Sequence, residues 1–287
     1  MRRRDITPYL WILPPMLVLA GICLYPAARL FFDSLFELRG ATGKFVGLGN
    51  YAYMFQDEFI GGSLIRSAIY TGSTTLLSIG IGLLLALCLN ESPLKRYLQA
   101  LVVLPWAVPY AVVATAFKWF FNDTHGAANY LLIWLGLIHR PIGWLFDKNL
   151  AFAVLIASDA WMRIPFAAMV LLAGLQSIPT DLYESAKVDG AGAYERFRYI
   201  TLPLLKAPLL LVLLIISIFS IRTVSLPLAL TGGGPGEATT VFALYLYKVA
   251  FWFMNLGYGA TLGVLLLFIV VVMSLIEIKF VKVEEVA

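Results

Sequence analysis

The sequence predicts an all-α, polytopic membrane protein with six transmembrane helices. Of its residues, 61% are hydrophobic and only 13% are charged, and the mean hydropathy is +0.86. Six apolar stretches are long enough for a helix to cross a bilayer core, which takes about 20 residues. Because backbone groups in hydrocarbon must be satisfied within their own segment, each stretch is expected to be a helix. The stretches are residues 9–32, 64–89, 98–121, 150–172, 204–221 and 258–280.

Basic residues predict the orientation of these spans. Lys and Arg concentrate before span one, between spans two and three, between spans four and five, and after span six. The positive-inside rule therefore places both termini on the cytoplasmic side of the inner or plasma membrane. The net charge of +4 is then mostly a topology signal, and no basic patch with interleaved aromatic residues points to nucleic acid. Residues 2–4 are arginines, but the apolar run after them is too long for a signal peptide.

Prolines and small residues shape the first three predicted spans. Pro14, Pro15 and Pro26 are expected to kink the first helix, which membrane helices tolerate when neighbours restore the hydrogen bonds. The second span contains TGSTTLLSIGIG, a small-residue face that lets another helix approach closely. The third span opens with LPWAVPY, in which Pro105 and Pro109 are expected to break or bend the helix.

Charged residues inside or at the ends of spans are candidates for the solute path, because burying them in a membrane is costly. Asp159 and Arg163 lie four residues apart in span four, in the order that favours an ion pair. Two interpretations stay open: a structural pair, or a lining of the path. Arg222, at the outer end of span five, either joins the path or extends to the interface. Aromatic and polar groups would suit a neutral sugar, whereas two arginines would suit an anionic one.

A cluster of charged residues separates spans four and five. Asp181 lies three residues before Glu184, which is the spacing of a capping box. The spacing predicts a short helix over residues 182–189. Gly190 can take the left-handed conformation that ends such a helix.

A second short helix is expected after Gly192. Ala193, Phe197 and Ile200 would share one of its faces, and Pro203 would separate it from span five. This face would meet a partner or the ends of the neighbouring helices. Two interpretations of the whole segment remain: a solvated connector that fixes the topology, or a docking surface for another protein.

The segment YESAKVDGAGAYERFRYITLPLL resembles the EAA loop of the permease subunits of ABC importers. The core of the motif departs from the family pattern only at Ser185, where alanine is usual. Seven further segments resemble, in the same order, parts of the sugar-type branch of this family, the maltose and glycerol-3-phosphate permeases. These segments are FVGLGNY, LPWAVP, GAANYLL, WLFD, WMRIPF, AGLQSIP and LTGGGP. The resemblance covers about residues 45–280. The motif positions are Glu184, Ser185, Ala186, Asp189, Gly190, Ala191, Phe197, Ile200 and Pro203.

The resemblance implies a type I ABC-importer permease fold and a mechanism. Residues 179–203 would form a cytoplasmic coupling loop that docks into a cleft of an ATPase subunit, and the chain would form half of the translocation pore. The implied partners are a second permease (a heterodimer), two cytoplasmic ATPases or a homodimer of one, an external solute-binding protein and the lipid bilayer. The implied solute is a sugar or a sugar-like molecule. Residues 221–223 read Ile-Arg-Thr where the branch often has Phe-Asp, which leaves the solute open.

No enzymatic site is expected on this chain. It lacks the Gly-x-x-x-x-Gly-Lys-[Ser/Thr] loop that cradles nucleotide phosphates, so ATP and Mg²⁺ would bind to partner ATPases. His125 and His139 lie in a loop without carboxylates at ligand spacing, so no metal site is predicted. The expected organisation is one permease domain, 1–287, with an N-terminal part, 1–63, and a five-span core, 64–280.

Two other functional classes remain open. The chain could be a stand-alone channel or secondary transporter, with the charged segment a connector; the lack of a clear internal repeat weakens the transporter alternative. It could also be a permease of the same superfamily for a different, for example anionic, solute.

Overall fold

The structure, a computed structural model, describes residues 7–39 and 42–280. Four of its helices are long and apolar enough to cross a bilayer, and two bent helix pairs pass the same criterion together. If each bent pair is counted as one span, the described residues contain six spans, the predicted number. The four unbroken helices are Trp11–Asp33, Glu58–Glu91, Lys148–Gln176 and Leu256–Lys279.

The first span is one continuous helix with a local irregularity. It consists of α1 (Thr7–Leu19), a π-helical turn (Ala20–Leu24) and α2 (Tyr25–Asp33). The π-turn lies immediately before Pro26, whose missing N–H and bulky ring disturb the regular hydrogen bonding of the preceding turn. The predicted span is confirmed, but Pro14 and Pro15 lie inside α1 without interrupting it, and the irregular turn occurs only next to Pro26.

A small β-hairpin, which was not predicted from the sequence, follows the first span. Strand β1 (Phe36–Arg39) pairs antiparallel with β2 (Thr42–Phe45), and Phe36 lies opposite Phe45 with ring centroids 5.2 Å apart. Cross-strand aromatic pairs of this kind stabilise short hairpins. A short helix, α3 (Gly49–Met54), leads from the hairpin to α4 (Glu58–Glu91).

The chain divides into two compact units, and the first contains the described residues of Met1–Ile60 with Tyr245–Phe268. Its second part holds the end of α14 (Phe242–Tyr247), a π-turn (Lys248–Trp252) and the first half of α15 (Leu256–Phe280). Glycines allow α15 to approach its neighbours. A side chain at Gly257 would collide with the Phe36 carbonyl, and one at Gly263 would crowd Leu30.

The second unit contains Gly61–Leu244 with the described residues of Ile269–Ala287. Within it, α4 and α8 (Lys148–Gln176) approach each other closely at one point. A Cβ atom at Gly82 would lie 2.6 Å from that of Ala167, so only glycine permits this approach. The small-residue face predicted for the second span therefore does bring two helices together. Helix α8 begins after Asp147, whose carboxylate accepts the N–H groups of residues 149 and 150 at 2.9 Å.

The third span is sharply broken, as its two prolines predict. Helix α5 (Lys95–Val103) and a 3₁₀ turn (Leu104–Ala107) are bent by 94° from α6 (Tyr110–Phe120). Val108 and Pro109 connect the two limbs in extended conformation. The break therefore leaves Val108 and Pro109 outside any helix.

A bend also precedes the main helix of the fifth span, but not where the sequence suggested. The limb Ala193–Leu204 meets α12 (Lys206–Ile221) at 63°. Pro203 was expected to separate the two helices, and this is wrong, because it lies inside the first limb and the break falls at Leu205. The elements not yet named are α7 (Ala127–Trp134), α9 (Thr180–Val188), α10 (Ala193–Arg196), a π-turn (Phe197–Thr201), α11 (Leu202–Leu204) and α13 (Ser225–Leu230).

Candidate functional site

The charged loop, residues 179–203, folds as two short helices joined by a tight turn. Helix α9 begins directly after Pro179, and no side chain caps its first turn. The predicted capping box of Asp181 and Glu184 is therefore wrong, because Asp181 already lies within the helix. Ser185 donates its hydroxyl proton to the carbonyl of Asp181 at 2.8 Å. Glu184 is exposed on the surface of the helix.

Gly190 ends α9 in the way that the sequence predicts. Its φ of +82° lies in the left-handed region, which residues with a side chain adopt only at a cost. Its N–H donates to the carbonyl of Lys187 at 3.1 Å, and the N–H of Ala191 donates to that of Ala186 at 2.8 Å. Nothing lies within 4 Å of a Cβ atom placed at Gly190, so the requirement for glycine is one of backbone conformation alone.

The second helix of the charged loop has the cap that the first lacks. The N–H of Gly192 donates to the carboxylate of Glu195 at 2.6 Å, at the start of α10. Arg196 reaches back to the carbonyl of Ala191 at 2.9 Å, which braces the turn between the helices. Tyr183 and Thr201 share a hydroxyl–hydroxyl hydrogen bond of 3.0 Å, which ties the first helix to the second. The loop is thus a small, internally bonded unit.

The apolar side chains of the charged loop divide into two groups. Phe197 and Ile200 are half-buried, and Phe197 lines a cavity of about 290 Å³ with Ala193 and the ends of α4 and α8. Of the two alternatives, this favours contact with the helix ends over contact with a partner. The exposed apolar side chains are instead Val188 at 88% exposure and Tyr194 and Tyr199 at 74% each. These three residues were not predicted from the sequence. The two tyrosines in a charged helix could have indicated an exposed contact surface.

The predicted ion pair in α8 is present and buried. Arg163 Nε lies 2.9 Å from Asp159 Oδ2, and the two side chains are 8% and 0% exposed. Ser220 donates to the same carboxylate oxygen at 3.3 Å, and Arg163 Nη2 donates to Thr223 Oγ1 at 3.0 Å. The pair therefore connects α8 with the end of α12. Such interhelical polar contacts help to hold membrane helices together.

A third helix approaches the same ion pair. Tyr70 of α4 is fully buried, and its hydroxyl lies close enough to Asp159 to interact with it electrostatically. Neither the Tyr70 hydroxyl nor Asp159 Oδ1 makes a hydrogen bond of good geometry with the described residues. The position of Tyr70 could not be predicted, because no local feature of the sequence links it to α8.

A cavity of about 390 Å³ opens beside the ion pair. This volume falls in the range of small-molecule sites, about 300–1,000 Å³. The broken third span, α8 and α12 form its walls, and Arg163 is the one formally charged side chain that lines it among the described residues. The other lining residues are Trp106, Ala107, Val108, Pro109, Tyr110, Met162, Phe166, Ile215, Ile216 and Phe219.

The three predicted path residues have different surroundings. Arg163 lines the cavity, whereas Asp159 is fully buried and does not line it. Arg222 is exposed at the end of α12 and lies over the ring of Phe219, 4.6 Å from its centroid. The structure thus brings Asp159 and Arg163 together and leaves Arg222 outside the cavity. No group of three or more His, Cys, Asp or Glu side chains suited to a metal occurs in residues 7–39 and 42–280.

These features together define a polytopic membrane subunit of a transport system: several spans, a broken helix beside a cavity, and an exposed helical loop. The chain belongs to the family described as binding-protein-dependent transport system inner membrane component, which matches residues 78–278.

Relatives across almost the whole chain have related descriptions. The sulfoquinovosyl glycerol permease SmoG of Agrobacterium fabrum is 34% identical over 96% of this chain and 90% of its own length. The trehalose/maltose permease MalF of Thermococcus litoralis is 38% identical over 93% and 90%. The sn-glycerol-3-phosphate permease UgpA of Agrobacterium fabrum is 31% identical over 96% and 95%.

Solved structures show the same fold. A chain of a bacterial alginate ABC transporter superposes with a TM-score of 0.82, at 23% identity, over 98% of this chain and 96% of that one. The same transporter with an alginate-pentasaccharide-bound periplasmic protein gives a TM-score of 0.83 at 23% identity, over 98% and 95%. The type I importer fold that the resemblance implied is confirmed.

Proposed function

We propose that this chain forms half of the translocation pore of an ATP-driven importer for a sugar or sugar-like solute, with the charged loop as its contact to an ATPase. One observation carries the proposal: the loop is attached at both ends to cavity-lining helices. It follows α8, which contributes Met162 and Arg163, and it precedes α12, which contributes Ile215 and Phe219. A displacement of the loop therefore acts directly on the cavity walls.

The exposed surface of the loop supports its role as the ATPase contact. Glu184 and Ser185 are exposed on α9, and Asp189 is exposed directly after it. The loop also exposes the side chains of Val188, Tyr194 and Tyr199. Exposed aromatic residues are common in the energetically important parts of protein interfaces. The conformation fixed by Gly190 would hold this surface rigid. Under this proposal the loop and both termini face the cytoplasm, and residues 1–287 act as a single permease domain.

The partners follow from the same proposal. A second, similar permease would complete the pore, and two cytoplasmic ATPases would bind ATP and Mg²⁺, so this chain carries no catalytic site. An external binding protein would deliver the solute. The family description itself names dependence on a binding protein.

The chemistry of the cavity supports an uncharged, hydroxyl-rich solute. Trp106, Tyr110, Phe166 and Phe219 give it aromatic walls against which a sugar ring can pack. Asp159 offsets the charge of Arg163, while the remaining N–H groups of Arg163 can still donate to hydroxyl oxygens. The named relatives include permeases for both uncharged sugars and anionic solutes, so the proposal distinguishes this chain from the latter.

The test is transport by the reconstituted complex. The chain would be expressed with its cognate ATPase, second permease and binding protein, and uptake into proteoliposomes would be measured for trehalose, maltose and sn-glycerol 3-phosphate. We expect ATP- and binding-protein-dependent uptake of an uncharged sugar. Flux through the chain alone, without ATP, would instead establish a channel, and preferred uptake of glycerol phosphate would refute the assignment of an uncharged solute.

The variant Glu184→Lys tests the coupling role. Reversal of this exposed charge should abolish ATP-driven uptake, while the protein still inserts and assembles. The matched control is Asp123→Lys, which reverses a carboxylate between α6 and α7, outside the loop and on neither of the helices that flank it. Normal uptake in Glu184→Lys would contradict the proposal.

A further inference from the structure

A second cavity, of about 480 Å³, lies within the first unit and has a different chemistry. It is formed by the turn before α4 and by the segment that leads into α15, both predicted to be extracytoplasmic. Five of its lining residues are aromatic, two are carboxylates and two are amides. The full set is Tyr53, Gln56, Asp57, Glu58, Phe59, Tyr245, Val249, Phe253, Asn255 and Tyr258. We refer to it as the acidic aromatic pocket.

Asp57 organises this pocket. Its Oδ2 atom accepts hydrogen bonds from the hydroxyls of Tyr245 and Tyr258, both at 2.5 Å. Its Oδ1 atom accepts the N–H of Phe59 at 3.0 Å, so the carboxylate also caps the start of α4. The tyrosines lie 188 and 201 residues away along the chain, and the carboxylate joins them to the α4 turn.

The hydrogen bonds determine what kind of group the pocket can bind. Because the protons of Tyr245 and Tyr258 are directed at Asp57, their oxygens can serve a ligand only as acceptors. Glu58, exposed in the first turn of α4, adds a second carboxylate. The pocket therefore presents mainly acceptors and negative charge, which suits a group that carries only donors and a positive charge.

Aromatic faces strengthen this preference. Tyr53 packs edge-on against Tyr258 at 4.9 Å, and Phe59 stacks with Tyr245 at 6.0 Å. Aromatic rings attract cations placed over their faces. No Lys, Arg or His side chain is among the described residues that line the pocket. Lys248, beside the lining residue Val249, lies over the ring of Trp252 instead, 5.4 Å from its centroid.

The rim of the pocket indicates the source of the cation. Of its lining residues, Tyr53 and Phe253 are 56% and 68% exposed, and Phe55 and Met254, close to them in the chain, are also exposed. An exposed apolar rim around a charged centre is typical of a protein docking site. A lipid amine headgroup would also bring its phosphate, which Glu58 and Asp57 would repel. Charge complementarity therefore favours a basic side chain of a protein.

We propose that the acidic aromatic pocket receives a lysine or arginine side chain of the extracytoplasmic solute-binding protein when it docks on the permease. The proposal rests on the proposed function, because it requires that such a protein delivers the solute. It assigns to residues 53–59 and 245–258 a part in partner recognition rather than in solute contact. The electrostatic attraction would speed docking as well as strengthen it.

The experiment measures how the ATPase activity of the complete transporter depends on the concentration of its binding protein, in proteoliposomes of fixed lipid composition. Glu58→Gln and Glu58→Lys change an exposed residue whose side chain is not needed to cap α4. We expect the half-saturating concentration to rise several-fold for Glu58→Gln and on the order of tenfold or more for Glu58→Lys, with the maximal rate unchanged. Salt should raise this concentration in the wild type and raise it less in both variants.

Asp123→Lys is the matched control, since it reverses a carboxylate in another segment predicted to be extracytoplasmic, and it should change the half-saturating concentration less than twofold. The proposal is overturned if Glu58→Gln and Glu58→Lys both behave like the wild type, or if Asp123→Lys has the same effect as Glu58→Lys. It is also overturned if the effect of Glu58→Lys disappears when phosphatidylethanolamine is removed, because the ligand is then a lipid. Absence of stimulation in the wild type would refute the proposed function itself, which is a different outcome.

Discussion

The buried ion pair of Asp159 and Arg163 allows a quantitative prediction. Substitution of Asp159 by Asn keeps the size of the side chain but removes its charge. Arg163 then keeps a full positive charge at 8% exposure, with Thr223 as its remaining uncharged partner. Removal of one member of a buried pair costs about 3–5 kcal/mol, because the other charge is left uncompensated. We expect the free energy of unfolding to fall by about that amount.

The companion variants separate the charge from the packing. Arg163→Met retains an unbranched side chain of similar length and leaves Asp159 charged and fully buried, so it should also cost about 3–5 kcal/mol. The double variant Asp159→Asn/Arg163→Met removes both charges. Replacement of both members of a buried pair often costs little. The double variant should therefore lose much less unfolding free energy than the sum of the losses in the two single variants.

The assay is unfolding of the purified chain in mixed micelles with increasing denaturing detergent. Arg222→Met is the control, because Arg222 is exposed and its contact with Phe219 should contribute only about 0.5–1 kcal/mol. If Asp159→Asn costs less than about 0.5 kcal/mol, or if the single effects simply add in the double variant, the pair does not hold α8 to α12.

Two further predictions concern glycines. Gly190→Pro fixes φ near −65° and removes the N–H bonded to Lys187, so ATP-driven uptake should be lost while the protein still inserts; Gly190→Ala needs only the left-handed conformation, about 1–2 kcal/mol, and should retain part of the uptake. Gly174→Leu should lower stability by about 1–3 kcal/mol or more and reduce uptake, because a Cβ atom at Gly174 already lies 2.6 Å from Pro208; unchanged thermal stability in detergent would refute this close contact.

Features governed by local chemistry could be predicted from the sequence. Apolar length set the spans, and the missing N–H of Pro109 broke the third one at the expected place. The spacing of Asp159 and Arg163 was enough to predict their ion pair, since residues four apart on a helix are neighbours. The conformation of Gly190 followed from its position at the end of a short helix.

Competing local signals explain the errors in the charged loop. The motif from Asp181 to Glu184 has capping-box spacing, but Pro179 already provides an extended residue that starts the helix, so the box is not used. In the second helix, the face of Phe197 and the exposed Tyr194 both carry an aromatic ring. Periodicity alone cannot decide which of two aromatic faces meets the protein.

Contacts between distant segments could not be predicted at all. Asp57 meets Tyr258 across 201 residues, and no feature of either neighbourhood announces the other. The same holds for Tyr70 and Asp159, which belong to different helices. Only the packing of the folded chain brings such groups together, so the acidic aromatic pocket had no signal in the sequence.

The charged loop and the helix ends that flank it form one tightly packed piece. A Cβ atom at Gly174 would lie 2.6 Å from the side chain of Pro208 and 2.9 Å from that of Leu205, so the backbone of α8 packs closely against side chains at the start of α12, next to the loop. The hydrogen bond between Tyr183 and Thr201 closes this piece on the loop side. Under the proposed coupling, a force on the loop therefore moves α8 and α12 together and cannot spread them apart.

Under the proposed coupling, the cavity would then change size at its remaining wall, which is residues 106–110 of the broken third span. Val108 and Pro109 are extended there, outside the regular helices on either side. A continuous helix would satisfy its backbone hydrogen bonds better in a membrane, so the break has a cost that packing alone does not explain. Because this wall is not part of the rigid piece, α8 and α12 can approach the wall or withdraw from it. Under that proposal the charged loop would move α8 and α12 as a pair, and the two prolines of LPWAVPY would provide the wall against which the pair moves.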